Sequence, residues 1–151
     1  MGDMPNTTWD GLPIANENPR GVAVIVYRYR AGGVEILILH RAHHGSDYEG
    51  DWAWTPPSGA RQPGEAPLAV AQRELAEETG ITGEPKLTRA GSGHWFVYGL
   101  EIDPETRVNL DAEHDRYEWV SLPEAIRRCQ PEAVSTQLQK FGQYLLSDTQ
   151  G

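Results

Sequence analysis

The chain has one cysteine among its 151 residues and lacks a hydrophobic run long enough to cross a bilayer. A single cysteine, Cys129, cannot form an internal disulfide, which fits a reducing compartment. No partner motif for a nucleophile accompanies it, so we expect it to pack as a small residue in a helix. The longest aliphatic stretch covers only residues 22–27, and the polar, proline-containing N-terminus is unlike a secretory signal. We therefore expect a cytoplasmic protein without a membrane span.

Basic residues are scarce, since there are 13 lysines and arginines against 22 aspartates and glutamates, for a formal net charge of −9. A protein whose main partner is a nucleic-acid backbone needs a basic surface, so this composition argues against that class. The length suits one well-buried core. We expect a loosely held arm over residues 1–20 and a single domain over residues 21–148. The sequence indicates no particular oligomeric state.

Hydrophobic periodicity and turn residues predict alternating strands and helices. Residues 22–29 and 34–40 are β-rich and flank a Gly-Gly turn, which predicts a β-hairpin. Further strands are expected over residues 86–89, 94–102 and 117–120, after a surface loop over residues 43–51 and a Pro- and Gly-rich segment over residues 54–64. Helices are expected over residues 122–129 and 131–146, the second with an apolar face of Leu138, Phe141, Tyr144 and Leu145. Strands enclosed by helices predict an α/β fold.

The segment that begins at Pro67 and ends before Gly80 is predicted to be a helix, because proline suits a first helical turn and glycine a C-terminal cap. Glu74, Glu77 and Glu78 then stand at i, i+3 and i+4, within a sector of about 100° on one face. An adjoining apolar stripe of Leu68, Ala71 and Leu75 can pack on a sheet. One face of this helix is expected to pack on the sheet, while the adjacent face carries the three negative charges.

Carboxylates gathered this closely repel one another, so the site either raises some of their pKa values or recruits a cation. Oxygen-only ligands favour Mg²⁺ or Mn²⁺ over zinc, and the run of residues 73–78 contains no cysteine or histidine. The alternative is a solvated helix face on which Arg73 pairs with Glu77 at i+4. Taken alone, the run Arg-Glu-Leu-Ala-Glu-Glu leaves both interpretations open.

The wider segment, residues 59–81, matches the pattern G-x5-E-x7-R-E-U-x-E-E-x-G-U at every specified position, where U is a bulky aliphatic residue. Its fixed identities would coincide by chance on the order of once in 10⁸ windows or fewer. This pattern is the Nudix box, so the chain closely resembles a Nudix hydrolase. The resemblance implies an α/β/α sandwich with a mixed β-sheet. It also implies hydrolysis of a pyrophosphate bond in a nucleoside diphosphate linked to another moiety, with Mg²⁺ or Mn²⁺ as the cofactor.

The resemblance assigns roles to individual residues. Glu74, Glu77 and Glu78 match the box carboxylates that bind metal, and the Gly59 carbonyl is expected to complete the coordination. Arg73 is expected to orient these carboxylates by bidentate hydrogen bonds rather than to touch substrate.

Three further residues receive roles in the same way. Glu65 is expected to brace the loop and helix or to pair with Arg73, and Gly80 has a structural role in the box. Glu113 resembles a downstream glutamate that serves some relatives as an extra ligand or general base. The alternative for Glu113 is a plain exposed loop acid.

Two segments outside the box point to a subgroup. Residues 54–59, WTPPSG, followed by Pro-Gly-Glu at 63–65, resemble the WTPPKG...PGE segment of asymmetric diadenosine tetraphosphate hydrolases. Residues 113–119, EHDRYEW, resemble the EHxxYxW segment of those enzymes and of dihydroneopterin triphosphate or dATP pyrophosphohydrolases. Two departures are that Ser58 replaces the lysine of the tetraphosphate hydrolases and Ala60 replaces a frequent histidine. The resemblance thus implies a small nucleotide-type substrate, while a cation that contacts phosphate is missing.

Candidate substrate contacts come from aromatic and histidine side chains. Trp54, Tyr98 and Tyr117 can stack on a purine or pterin ring, and the alternative is that they belong to the core. His43 and His44 can donate hydrogen bonds to phosphate, and the alternative is a pair of exposed loop histidines. Tyr98 stands where ADP-ribose hydrolases of the family carry proline. Hydrolysis of ADP-ribose and a nucleotide-binding domain without catalysis remain the alternatives for function.

Overall fold

The structure is a computed structural model that describes residues 13–14 and 18–150, with side chains through residue 146. Most of the predicted N-terminal arm lies outside the described residues. The strands are β1 (Gly21–Arg30), β2 (Gly33–Arg41), β3 (Trp54–Thr55), β4 (Ser58–Ala60), β5 (Lys86–Leu87), β6 (Trp95–Glu101) and β7 (His114–Ser121). The helices are α1 (Pro67–Thr79), α2 (Leu122–Arg128) and α3 (Glu132–Gln150). The predicted hairpin and all three predicted helices are confirmed.

The strands form one seven-stranded mixed sheet in the order β3-β2-β1-β6-β5, with β4 pairing to β1 and β7 pairing to β2. The β1–β6 pair is parallel. The other strand pairs are antiparallel. Two short strands, β3 and β4, lie in the Pro- and Gly-rich segment for which the sequence predicted no strand.

These two short strands fill a gap between β1 and β2. The hairpin strands pair only near their turn, where Tyr27 lies opposite Ile36. Beyond that point β1 pairs with β4, where Val22 lies opposite Gly59. The far end of β2 pairs with β3 instead. The other edge of β1 is paired with β6, and the other edge of β2 is paired with β7. The short strands β4 and β3 therefore pair on the edges of β1 and β2 that face each other, and the hairpin strands diverge there. The segment that leads into α1 is thereby built into the sheet.

Successive residues of β1 and β2 face opposite sides of the sheet, as strand geometry requires. One side packs on α1, through the cluster of Val22, Val24, Val26, Leu37, Leu39, Val70, Ala71 and Leu75. The other side packs on α2 and α3, through the cluster of Ala23, Ile25, Ile36, Ile38, Ala125, Leu138 and Phe141. A sheet between two helical layers is an α/β/α sandwich, so the predicted fold is confirmed.

Cys129 belongs to the cluster beneath α2 and α3, where it is fully buried. Burial raises the pKa of its thiol to about 12. This thiol therefore stays protonated and inert near neutral pH, as the packing role predicted from the sequence requires. Within the described residues, no helix is both long and apolar enough to cross a membrane.

Candidate active site

Helix α1 begins at Pro67 and ends at Thr79, and the cap residue Gly80 adopts a left-handed conformation with φ of 71° and donates its N–H to the Ala76 carbonyl. Glycine tolerates this conformation because it has no Cβ. The buried face of the helix includes the apolar residues Val70, Ala71 and Leu75, but also Glu78. A carboxylate on the packed face of a helix is expensive unless its surroundings compensate. This places Glu78 at the centre of the candidate site.

Strand β4 approaches α1 closely enough to contact its carboxylates through the backbone. The amide nitrogen of Ser58 lies 3.4 Å from Glu78 Oε1. At Gly59, any Cβ would overlap the carboxylate of Glu74 where it now stands, so a larger residue would displace that carboxylate. Strand pairing with β1 therefore holds the backbone of the box glycine directly against the box carboxylates.

The three box carboxylates occupy different environments. The Glu78 side chain is only 5% exposed, whereas that of Glu77 is 58% exposed. The pKa of Glu78 lies well above its ordinary value, mainly because of burial and then because of the hydrogen bond and charge of Glu74. Burial also raises the pKa of Glu74, partly offset by hydrogen bonding to Glu78 and by the charge of Arg73. The buried carboxyl group of Glu78 and the partly buried one of Glu74 thus share a hydrogen bond, while that of Glu77 reaches solvent.

Arg73 connects these carboxylates to the loop before the helix. Its Nε and Nη2 donate to the two oxygens of Glu65 at 3.0 and 2.8 Å, so the pairing of Glu65 with Arg73 is present. Its Nη1 donates to Glu74 Oε1 at 2.8 Å and lies 3.6 Å from Glu77 Oε2. Hydrogen bonding from Arg73 lowers the pKa of Glu65, which also accepts from the Gln62 amide at 2.9 Å. The guanidinium orients the carboxylates and has few donors left for substrate.

A second group reaches Glu78 from the start of β7, and the sequence analysis gave it no role. His114 Nδ1 lies 2.8 Å from Asp111 Oδ1, and its Nε2 lies 3.6 Å from Glu78 Oε1. Both His114 and Glu78 are buried. The signal available in the sequence was the histidine of the Glu-His-x-x-Tyr-x-Trp segment, three residues after an aspartate. Only the neighbouring Glu113 had been singled out there.

The residues present suit a hard divalent cation by their chemistry. The buried Oε2 of Glu78 has no hydrogen-bond partner in the described part of the chain. Cation binding would offset the carboxylate repulsion that contributes to the raised pKa values. As the side chains stand, however, no group of three or more His, Cys, Asp or Glu residues among those described is arranged to hold a metal ion. Glu77 Oε2 lies 3.6 Å from Arg73 Nη1, and the ligand set of Gly59, Glu74, Glu77 and Glu78 remains a prediction.

The predicted aromatic contacts divide into buried and exposed. Trp54 is 1% exposed and packs in the cluster beneath α2 and α3, where its indole N–H donates to Glu49 at 3.2 Å. Tyr98 is also buried, in the cluster beneath α1. For both rings the structure matches the core alternative. Tyr117 is 39% exposed and is the member of the trio that offers a ring face to a ligand.

The remaining predicted residues lie on loops and edges around this site. Glu113 is exposed, and its carbonyl accepts a hydrogen bond from the Ala42 amide at 2.9 Å. His43 and His44 are exposed with their ring centroids 4.8 Å apart. Ser58 is half-buried in β4.

Together these features describe a site with one buried carboxyl group, one partly buried, one that reaches solvent, and a guanidinium that orients the last two. Such a site can bind a divalent cation, and it can accept a proton from water at the exposed carboxylate. No activated nucleophile is required for hydrolysis by direct attack of water. Chemistry at phosphorus suits this set of groups better than covalent catalysis does.

Comparison with known proteins identifies the family of this chain and several similar proteins. The family model described as NUDIX domain matches residues 18–143. The chain is 32% identical over 127 residues to the asymmetrical bis(5'-nucleosyl)-tetraphosphatase of Rattus norvegicus, covering 76% of this chain and 82% of the relative. It is 28% identical over 141 residues to the protein of the same name from Caenorhabditis elegans, covering 83% and 96% respectively. A crystal structure of a C. elegans Ap4A hydrolase binary complex matches with a TM-score of 0.64 and 26% identity, over 84% of this chain and 97% of that one.

Proposed function

This chain belongs to the Nudix family and is a phosphoanhydride hydrolase, and from that premise we propose that it cleaves dinucleoside polyphosphates, with nucleoside- or pterin-triphosphate-like compounds as the neighbouring substrate class. We propose Mg²⁺ or Mn²⁺ as its cofactor, held by Glu74, Glu77, Glu78 and the Gly59 carbonyl. The observation that carries the proposal is the packing of the β4 backbone against two box carboxylates, with Gly59 against the partly buried Glu74 and the Ser58 amide against the buried Glu78.

The metal assignment is supported by the electrostatics of the carboxylates. Burial and mutual repulsion make the ionised forms of Glu74 and Glu78 unfavourable without a counter-charge. Arg73 already neutralises Glu65 and contacts Glu74, so it leaves Glu78 uncompensated. A hard divalent cation supplies the missing charge, and oxygen ligands select Mg²⁺ or Mn²⁺.

The reaction we propose is attack of water on phosphorus, in line with the leaving phosphate. When bound, the metal supplies charge neutralisation on the phosphate oxygens and acidifies water. The protein's contribution is to hold the ligand carboxylates in place through Arg73 and to provide a carboxylate that accepts the proton. Glu77 and Glu113 are the exposed candidates for that proton acceptor.

The substrate assignment is supported by the segments that flank the box. Residues 54–57 read WTPP, which resembles the segment of asymmetric diadenosine tetraphosphate hydrolases, and two relatives are named as asymmetrical bis(5'-nucleosyl)-tetraphosphatases. Tyr117 offers an exposed ring on which a base can stack, a contact worth about 1–3 kcal/mol in other nucleotide-binding proteins. Ser58 lacks the cation expected at its position, so we expect weaker phosphate binding than a lysine there would give.

A substrate panel tests this proposal directly. The purified protein is incubated with diadenosine tetraphosphate, dNTPs, dihydroneopterin triphosphate and ADP-ribose, each with Mg²⁺, Mn²⁺ or EDTA, and the products are separated. We expect diadenosine tetraphosphate to yield unequal products, ATP and AMP, only when metal is present. A marked preference for ADP-ribose would overturn the substrate class while leaving the metal-dependent hydrolase standing. Full activity in EDTA would overturn the metal assignment.

A further inference from the structure

The segment between β6 and β7 is tied to the end of α1 and to the end of β2. The Asn109 amide donates to the carbonyl of Thr79, at the end of α1, with a distance of 2.8 Å. The Glu113 carbonyl accepts from Ala42, which directly follows β2. His114 then opens β7 opposite Arg41, at an irregularity in the strand register. These attachments deliver the His114 side chain to a fixed place beside α1.

Within this segment His114 bridges two carboxylates. Its Nδ1 lies 2.8 Å from Asp111 Oδ1, a distance that fits a charge-assisted hydrogen bond. An ionised carboxylate only accepts, so Nδ1 carries the proton of that bond and the ring orientation is set by Asp111. When both ring nitrogens carry protons, Nε2 is a donor as well, and it faces Glu78 Oε1 at 3.6 Å, an ion-pair distance rather than a hydrogen bond.

Besides the hydrogen bond that it shares with Glu74, Glu78 has few polar contacts. Its Oε1 is reached by the Ser58 amide at 3.4 Å and by His114, and its Oε2 has no hydrogen-bond partner among the described residues. The guanidinium of Arg73 pairs with Glu65, Glu74 and Glu77 instead. The carboxylates of α1 are thus contacted from two sides. Arg73, which is paired with Glu65 of the loop before the helix, contacts Glu74 and Glu77, and His114 at the start of β7 contacts Glu78.

We infer that Asp111 and His114 form a positioning pair, in which Asp111 orients His114 and His114 holds Glu78 Oε1 so that Oε2 is the oxygen left for a metal ion. The inference rests on the proposed metal site. Neither residue touches substrate in this account. Groups that orient a metal ligand typically change metal affinity by about 10- to 100-fold when they are removed.

Two amide substitutions separate this role from simple anchoring of the segment. In His114→Gln the amide nitrogen takes the approximate place of Nε2, so the contact with Glu78 is kept and the bond to Asp111 is lost. In His114→Asn the amide nitrogen takes the approximate place of Nδ1, so the bond to Asp111 is kept and the contact with Glu78 is lost. The readout is the affinity for Mn²⁺, titrated calorimetrically into metal-free protein, with exposed His94→Gln as the matched control.

The positioning role predicts that His114→Asn weakens Mn²⁺ binding by about tenfold, while His114→Gln stays within about threefold of the wild type. At saturating Mn²⁺, the KM for diadenosine tetraphosphate should stay within about twofold in both variants, because neither residue contacts substrate. A merely structural role predicts the opposite order, with the glutamine variant impaired in folding and the asparagine variant normal. That order, or equal Mn²⁺ affinity in both variants and the wild type, would overturn the inference.

Failure of the proposed function has a different signature. If the wild type binds no Mn²⁺, or if Glu78→Gln leaves its affinity unchanged, the metal site itself is wrong and this inference is overturned with it. If Glu78→Gln abolishes binding while His114→Asn does not weaken it, only the positioning pair is overturned. Should the His114 variants not fold, Asp111→Asn carries the test, because it keeps the side-chain volume and, like His114→Gln, weakens only the orienting bond; we expect Mn²⁺ binding to weaken by about threefold, and unchanged affinity would overturn the inference.

Discussion

Arg73 holds Glu65 by both carboxylate oxygens, with Nε 3.0 Å from Oε2 and Nη2 2.8 Å from Oε1. The same guanidinium uses Nη1 to reach Glu74 at 2.8 Å. The pair therefore links the loop before α1 to a carboxylate inside the site. Bidentate geometry makes it stronger than a typical surface ion pair.

A double-mutant cycle measures this pair. Arg73→Gln, Glu65→Gln and the double variant are unfolded with urea, and the free energies of unfolding are compared. We expect a coupling energy of about 1 kcal/mol, discounted for the partial exposure of both side chains. Additive effects of the two single substitutions would mean that the bidentate contact does not stabilise the fold.

The buried carboxyl of Glu78 predicts a pH dependence of the metal-free protein. Because burial raises its folded-state pKa above the ordinary 4.5, the folded state retains a proton that the unfolded state has already released. The resulting stabilisation is complete below about pH 4.5 and is lost as pH rises through the folded-state pKa. Glu74, whose pKa is also raised, contributes in the same direction.

Urea unfolding in EDTA at several pH values above 4.5 checks this sign. We expect Glu78→Gln to gain stability relative to the wild type as pH rises, since the glutamine has no proton to lose. Glu84→Gln, at an exposed loop position, is the control and should follow the wild type. If the free energies of unfolding of Glu78→Gln and the wild type changed with pH in parallel, the surroundings of Glu78 would not disfavour its ionised form.

Substitution of Ser58 tests whether position 58 faces the phosphates of the substrate. If the missing cation weakens substrate binding, Ser58→Lys should lower the KM for diadenosine tetraphosphate by about threefold to thirtyfold, or about 0.6–2 kcal/mol. Ser58→Met serves as the control, because it adds a long side chain without charge. A KM that is unchanged or higher in the lysine variant, or equally lowered in both, would show that position 58 does not present a charge to phosphate.

Local signals explain which parts of the fold could be predicted from the sequence. The ends of α1 follow from Pro67 and Gly80, and its buried face follows from helical periodicity, because both act within one helix. The short strands β3 and β4 could not be predicted, since they contain only two and three residues. They are strands because the diverging ends of β1 and β2 leave backbone groups there to pair with, which is a property of the sheet and not of the segment.

The same distinction holds for the candidate site. The box carboxylates share one helix, so their spacing is visible in the sequence. The contact of His114 with Glu78 joins residues that are 36 positions apart in the sequence. It depends on the fold of the intervening segment, so no local sequence pattern predicts it. Burial of Trp54 and Tyr98 is likewise decided by which face of the sheet each ring meets. Aromatic composition alone cannot distinguish a core ring from a stacking platform.

The central claim is that the carboxylates of α1 bind a metal ion that hydrolysis requires. It is tested most directly by the rate of diadenosine tetraphosphate hydrolysis with Mg²⁺ in the wild type, Glu77→Gln, Glu78→Gln and the control Glu84→Gln, each verified as folded. We predict that kcat falls by roughly 100-fold or more in the first two variants and is unchanged in the control, and that EDTA abolishes wild-type activity. Wild-type rates and metal dependence in either Glu77→Gln or Glu78→Gln would contradict the assignment of the active site.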